Sequence, residues 1–75
     1  MAQQLYNAIR SAEWTKDGTG REKAVAPGGE VARQPFPMGG FIYDGYRDGA
    51  CVYTGSSCLG AFAAVMGVPK RAEGR

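Results

Sequence analysis

Residues 56–67 read SSCLGAFAAVMG and form the longest continuous apolar segment of the chain. Ser56 or Ser57 can cap the start of a helix with its hydroxyl group. Gly67 suits the position just after a helix end, and Pro69 prevents the helix from continuing. The segment therefore predicts an apolar helix over 56–67.

The predicted helix has two different faces. Large apolar side chains at helical spacing share one face, and small residues form a smooth surface on the other. Small residues allow the backbone of a neighbouring helix to come close. We therefore predict that this helix is a partner interface, made by Leu59, Gly60, Phe62, Ala64 and Met66.

The same helix lies in a longer uncharged stretch, which covers residues 49–69 and is followed by Lys70 and Arg71. About 20 residues is the length that a helix needs to cross a bilayer. Residues 53–57 are polar or weak helix formers, however, and a helix of about 12 residues is more typical of a buried or interfacial segment. Both interpretations, a full span over 49–69 and a shorter helix, remain open at this stage.

Aromatic and β-branched residues are concentrated in residues 41–54. Asp44-Gly45 and Asp48-Gly49 are turn signals, and they predict a hairpin that pairs 41–43 with 51–53. Aromatic side chains are common anchors of protein interfaces. We therefore add three residues of this region to the predicted interface: Phe41, Tyr43 and Tyr46.

The N-terminal half of the chain is poor in large apolar residues. Residues 2–14 place Leu5 and Ile9 on one face and predict a short helix. Residues 15–40 contain all but one of the prolines and two glycine pairs, which predicts an extended arm that becomes ordered along a partner.

Together these segments predict a small α chain with little regular structure. Its parts are a short N-terminal helix over 2–14, an extended Gly/Pro-rich arm over 15–40, an aromatic turn or hairpin region over 41–54, an apolar helix over 56–67 and a basic tail over 68–75. With 12 glycines and 4 prolines among 75 residues, the chain loses much conformational entropy on folding. Its few large apolar side chains predict a small core that needs contacts from other molecules.

The residue types argue against most catalytic chemistry. The sequence has no histidine, which is the commonest general base and metal ligand. Two cysteines alone do not complete a four-ligand zinc site. Cys51 and Cys58 are therefore interpreted either as a disulfide or as free, buried thiols, and no catalytic, cofactor or metal residues are predicted.

The charge distribution argues against a broad nucleic-acid surface. Acidic and basic side chains balance over residues 1–48, so the net charge of +2 comes from the tail. A nucleic-acid-binding domain normally presents a wide basic face. Nucleic-acid binding is therefore the weaker alternative.

These observations predict a non-catalytic structural or accessory subunit that docks on larger protein subunits and stabilises a multi-subunit assembly. The uncharged stretch and the basic tail favour a complex in or next to a membrane, such as an energy-transducing one, over a free cytosolic protein. The alternatives are a small nucleic-acid-binding protein and a structural component of a viral or other large soluble particle.

Overall fold

A computed structural model describes residues 2–68 as two helices and five strands. The strands form one antiparallel sheet in chain order, so each strand pairs with the strands before and after it. The elements are α1 (Ala2–Ser11), β1 (Thr15–Lys16), β2 (Glu22–Ala26), β3 (Gly29–Pro35), β4 (Phe41–Arg47), β5 (Ala50–Gly55) and α2 (Cys58–Met66).

The prediction of an α chain with little regular structure is wrong, because most of the segment expected to be an arm is sheet. Residues 15–40 contain β1, β2 and β3. The register of β2 and β3 runs from Glu22 opposite Arg33 to Ala26 opposite Gly29. β3 is in turn paired with β4 along its whole length, so it lies in the middle of the sheet.

Small residues on the inner face of the sheet explain the error. In β2, Ala24 and Ala26 are buried, whereas Val25 between them is 84% exposed. A strand is normally recognised by large apolar side chains at every second position. In β2 the buried positions carry alanine and the exposed position carries valine. The position of the larger apolar side chain would therefore predict that the solvated face of β2 is the buried one.

The aromatic region does form a hairpin, and one of the two predicted turn signals forms its turn, but its register differs from the prediction. Asp48 and Gly49 form the turn with φ angles of 54° and 81°, the left-handed conformation that a tight two-residue hairpin turn requires. Tyr43 pairs with Gly55 and not with residues 51–53, and the register shifts next to Gly45. The second turn signal, Asp44-Gly45, lies inside β4.

Gly45 serves helix packing and not a turn. A Cβ atom at this position would lie 2.8 Å from Cγ2 of Val65 and 3.1 Å from the carbonyl oxygen of Ala61. Since real Cβ atoms do not approach other atoms so closely, only glycine allows α2 to lie directly on β4.

α2 packs on one face of the sheet and, together with α1, encloses a small core. α2 contacts β2, β3, β4 and β5, and α1 packs against α2. The buried residues that form the core cluster are Leu5, Ala26, Val31, Ala61, Phe62 and Val65. Alternate residues on the other face of the sheet, such as Lys23, Glu30 and Thr54, are exposed, as is usual for an antiparallel sheet with one solvated face.

Local capping determines the limits of α2. Ser57 caps its start, since its Oγ accepts a hydrogen bond from the Gly60 N–H at 2.9 Å. Gly67 ends it in the left-handed conformation with a φ of 75°. The uncharged stretch 49–69 is thus divided between β5 and α2, and among residues 2–68 no helix is long and apolar enough to cross a membrane.

The ends of the chain differ from the expected boundaries. The N-terminal helix stops at Ser11, so the remainder of the predicted 2–14 segment leaves the helix and carries Trp14 to one end of the sheet. The predicted basic tail over 68–75 lies, except for Val68, outside the described residues.

Candidate functional site

Aromatic side chains gather at the end of the sheet where the β3–β4 hairpin turns. The ring centroid of Trp14 lies 6.3 Å from that of Tyr43 and 6.1 Å from that of Phe62, both in edge-to-face geometry. Phe41 lies beside Tyr43, with ring centroids 6.1 Å apart. Such pairs stabilise by about 0.5–1.5 kcal/mol beyond the burial of their area.

The guanidinium group of Arg33 lies between two of these rings. Its Cζ is 4.1 Å from the centroid of the Trp14 ring and 4.5 Å from that of the Phe41 ring. Its Nε donates a hydrogen bond of 2.7 Å to Oε1 of Glu22, which is the residue opposite Arg33 in the sheet register. The two aromatic rings and the charged hydrogen bond to Glu22 together hold the Arg33 side chain in one conformation.

The tip of the β3–β4 hairpin carries exposed apolar side chains. Phe36 is 45% and Met38 is 86% exposed. The tip is held by two backbone hydrogen bonds of 2.9 Å, from the Phe36 N–H to the Gly40 carbonyl and from the Gly39 N–H to the Phe36 carbonyl. Pro35 and Pro37 restrict the backbone around Phe36 further, so these side chains are presented by an ordered loop.

A groove separates the hairpin from the loop between β1 and β2. Its volume is about 590 Å³, and it is lined by Gly18 and Gly20 on one side and by Pro35 and Phe41 on the other, with Arg33 between them. We call the set Trp14, Arg33, Phe36, Met38, Phe41 and Tyr43, together with this groove, the aromatic end.

Tyr43 of the aromatic end and the neighbouring Cys58 both have a raised pKa. Burial is the main reason why the pKa of Cys58 is raised, and contact with Tyr43 and the charge of Arg33 offset part of this effect. Burial also raises the pKa of Tyr43, and the neighbouring Cys58 adds to that rise. Both groups therefore stay protonated at neutral pH, and the Cys58 thiol is a poor nucleophile.

The two cysteines do not form the disulfide considered above, since both thiols are free. Cys51 is exposed, and its Sγ lies 3.4 Å from the Tyr53 carbonyl oxygen and 3.5 Å from Oγ1 of Thr54. Thr54 pairs with Asp44 on the solvated face of the sheet, whereas Cys58 contacts Tyr43 at the aromatic end. The two thiols thus occupy different environments.

This difference predicts selective alkylation. In the folded protein at pH 8, iodoacetamide should modify Cys51 first and yield a single adduct, because the Cys58 thiol is partly buried and its pKa is raised. Peptide mass spectrometry locates the adduct, and the same reaction in concentrated urea is the control in which both thiols react. Equal reaction of both cysteines in the native protein would contradict the burial of Cys58.

The predicted interface residues of α2 do not share one exposed face, since they range from fully buried to exposed. Phe62 is fully buried in the core, while Leu59 is 43% exposed. Met66 and Ala64 are half-buried. At Gly60, a Cβ would lie 3.0 Å from Cε1 of Tyr53, so the small residue accommodates a ring of the same chain where a partner helix was expected.

The predicted aromatic interface residues are also divided. Phe41 and Tyr43 belong to the aromatic end, but Tyr46 lies on the solvated face with Arg21 and Asp44. Arg21 forms a salt bridge of 3.0 Å with Asp44. The hydrogen bond that the Arg21 guanidinium donates to the Tyr46 hydroxyl is the main reason why the pKa of Arg21 is raised, and the charge of Asp44 contributes to the rise.

Four residues of the aromatic end were not predicted: Trp14, Arg33, Phe36 and Met38. Tryptophan and arginine are the residue types most enriched among energetically important interface positions, so composition could have drawn attention to Trp14 and Arg33. Their stacking depends on the pairing of β2 with β3, and no local signal in the sequence indicates it.

Comparisons with known proteins add no functional information. No protein-family model matches the sequence, and no curated protein and no solved structure is significantly similar to the chain. Within residues 2–68, no group of three or more His, Cys, Asp or Glu side chains is placed to hold a metal ion.

Proposed function

We propose that this chain is a non-catalytic accessory subunit that docks on a larger protein subunit through its aromatic end. The observation that carries the proposal is the ordered hairpin tip, which presents Phe36 and Met38 to solvent at the end of β3, the strand that also carries the stacked Arg33. Because the backbone of the tip is already ordered, little backbone entropy is lost when a partner covers these side chains.

The energy available from this end is sufficient for a specific contact. Full burial of a Phe or Met side chain is worth about 1.5–3 kcal/mol. Leu59 follows Cys58, which neighbours Tyr43 of the aromatic end. Its side chain is 43% exposed and adds to the apolar surface that a partner can cover. The groove between the hairpin and the β1–β2 loop offers a concave surface for a side chain of the partner.

The electrostatics at the aromatic end favour a protein partner over nucleic acid. Stacking of bases on aromatic rings is normally combined with free basic side chains that neutralise phosphate. Here the Arg33 guanidinium is already paired with Glu22 and covered by rings on both sides. An apolar hairpin tip with a neutralised arginine is typical of a protein contact.

Substitution of the hairpin tip tests the proposal. The double variant Phe36→Ser and Met38→Ser should keep the stability of the native chain, because both side chains are exposed. In affinity purification from native cells, its recovery of a stoichiometric partner protein should fall about tenfold, as expected when at least 1.4 kcal/mol of binding energy is lost.

Tyr6→Ser is the matched control, since Tyr6 is 53% exposed on α1 and is not part of the aromatic end. This variant should recover the partner as well as the native chain does. A native chain that elutes from cell extracts as a free monomer, or a tip variant that recovers its partner undiminished, would show that the aromatic end is not the docking surface.

A further inference from the structure

Part of the β2 edge has no neighbouring strand. β1 pairs only with Lys23 and Glu22, while β2 continues to Ala26. Within residues 2–68, the outer side of 24–26 is therefore not covered by a strand of the sheet. An uncovered strand edge presents backbone N–H and C=O groups that can pair with another chain.

The register identifies the residue whose backbone points outward. Pro27 and Gly28 form a two-residue turn that joins Ala26 to Gly29. The pair that flanks such a turn exchanges backbone hydrogen bonds, and the next pair along the ladder does not. Val25, opposite Glu30, belongs to that next pair, so its N–H and C=O point away from β3 and towards the open edge.

A groove runs along this edge between β2 and α1. Its volume is about 530 Å³, and it is lined by Ala8, Ser11, Ala12, Val25, Pro27 and Met66, among others. Ser11 and Val25 also line an adjoining concavity of about 320 Å³. The helix side of the groove is formed by Gln4, Asn7, Ala8 and Ser11 of α1, and its volume leaves room for an extended chain beside the edge.

The charge along this groove is distributed unevenly. Among residues 2–68, those that line the larger concavity are all uncharged. The smaller one is lined by Glu13 and Thr15, at the end next to β1. An occupant that complements these surfaces is uncharged along most of the groove and carries a positive charge next to Glu13.

We propose that the β2 edge binds an extended segment of a partner protein as an additional strand, which pairs with the Val25 backbone. The segment has small or β-branched uncharged side chains beside α1 and a lysine or arginine next to Glu13. Binding by strand addition takes its affinity from backbone hydrogen bonds and its specificity from alternate side chains. The site lies at the opposite end of β2 from Glu22 and is separate from the aromatic end.

A displayed library of random peptides, selected with the full-length chain, tests this proposal. Enriched peptides should alternate β-branched and small residues and carry one basic residue near an end. N-methylation of alternate backbone nitrogens in such a peptide leaves its side chains unchanged and should weaken binding by up to about tenfold, since the hydrogen bond to the Val25 carbonyl is lost.

Two variants of the chain should weaken binding by a similar factor. Val25→Pro removes an N–H that the sheet does not use, and proline is tolerated at such edge positions. Ser11→Trp fills both concavities from an exposed position on α1. Gln3→Trp is the control, because Gln3 is exposed on α1 and lines neither concavity. Circular dichroism verifies that each variant is folded.

Three results would overturn the proposal: no enriched peptides, enriched peptides that bind Ser11→Trp and Val25→Pro as tightly as the native chain, or tolerance of N-methylation. Peptides whose binding is lost only in the Phe36→Ser and Met38→Ser double variant would be binding at the aromatic end. Such a result would refute strand addition at β2 and leave the proposed docking function intact.

Discussion

Replacement of Phe62 by alanine is expected to lower the free energy of unfolding by about 3–5 kcal/mol. Phe62 is the largest fully buried side chain and contacts both the helix core and Trp14. A domain of this size has a total stability of only about 5–10 kcal/mol. Urea denaturation followed by circular dichroism should therefore show a variant that is close to unfolded in buffer.

Leu59→Ala is the matched control in the same helix. Leu59 is 43% exposed, so its truncation should cost less than about 1 kcal/mol. If the two substitutions had equal effects, the inner face of α2 would not be the one formed by Ala61, Phe62 and Val65.

The second large effect is expected at Gly45, where alanine should destabilise the fold by about 1–3 kcal/mol. The new methyl group would lie 2.8 Å from Cγ2 of Val65, so α2 must shift away from β4 to relieve the overlap. Because α2 covers the whole core, a shift at this point loosens the contacts of Phe62 as well.

A double-mutant cycle separates this overlap from other effects of the substitution. Val65→Ala removes the Cγ2 atom, so Gly45→Ala should cost at least about 0.5 kcal/mol less in that background than in the native chain. The free energies of unfolding of the native chain, the two single variants and the double variant provide the test. Strict additivity of the two substitutions would show that α2 does not lie against Gly45 in the way described.

Several features of the fold follow from local sequence alone. Ser57 and Gly67 limit α2 because a hydroxyl group and a left-handed glycine satisfy the backbone groups at helix ends wherever they occur. Asp48-Gly49 turns the last hairpin for a similarly local reason, since both residues tolerate positive φ angles. Such signals act over three to five residues and do not depend on the rest of the molecule.

The strands of the predicted arm could not be recognised in this way. Val31 and Ala32 are both fully buried, although the sequence around them shows no alternation of large apolar residues. Ala32 lies on the solvated face opposite Lys23 and Asp44, so its burial depends on side chains from both neighbouring strands. This kind of burial exists only once the strands are paired.

The residues of the candidate site also divide into those that the sequence indicated and those that depend on the pairing of strands. The aromatic character of residues 41–54 led to Phe41 and Tyr43, which do belong to the aromatic end. The sequence did not indicate that Tyr46 faces the other way, because the side on which a strand residue lies depends on the register of its neighbours.

The sequence by itself therefore determined the helix caps, the final hairpin turn and the aromatic composition of one region, since these depend on contacts between near neighbours in the chain. Only the tertiary structure decided that alanine is buried beside an exposed Val25, that Gly45 supports a helix and that Arg33 lies between Trp14 and Phe41. Each of these arrangements joins elements distant in sequence, and Ala26 is buried only because the helices cover that face of the sheet.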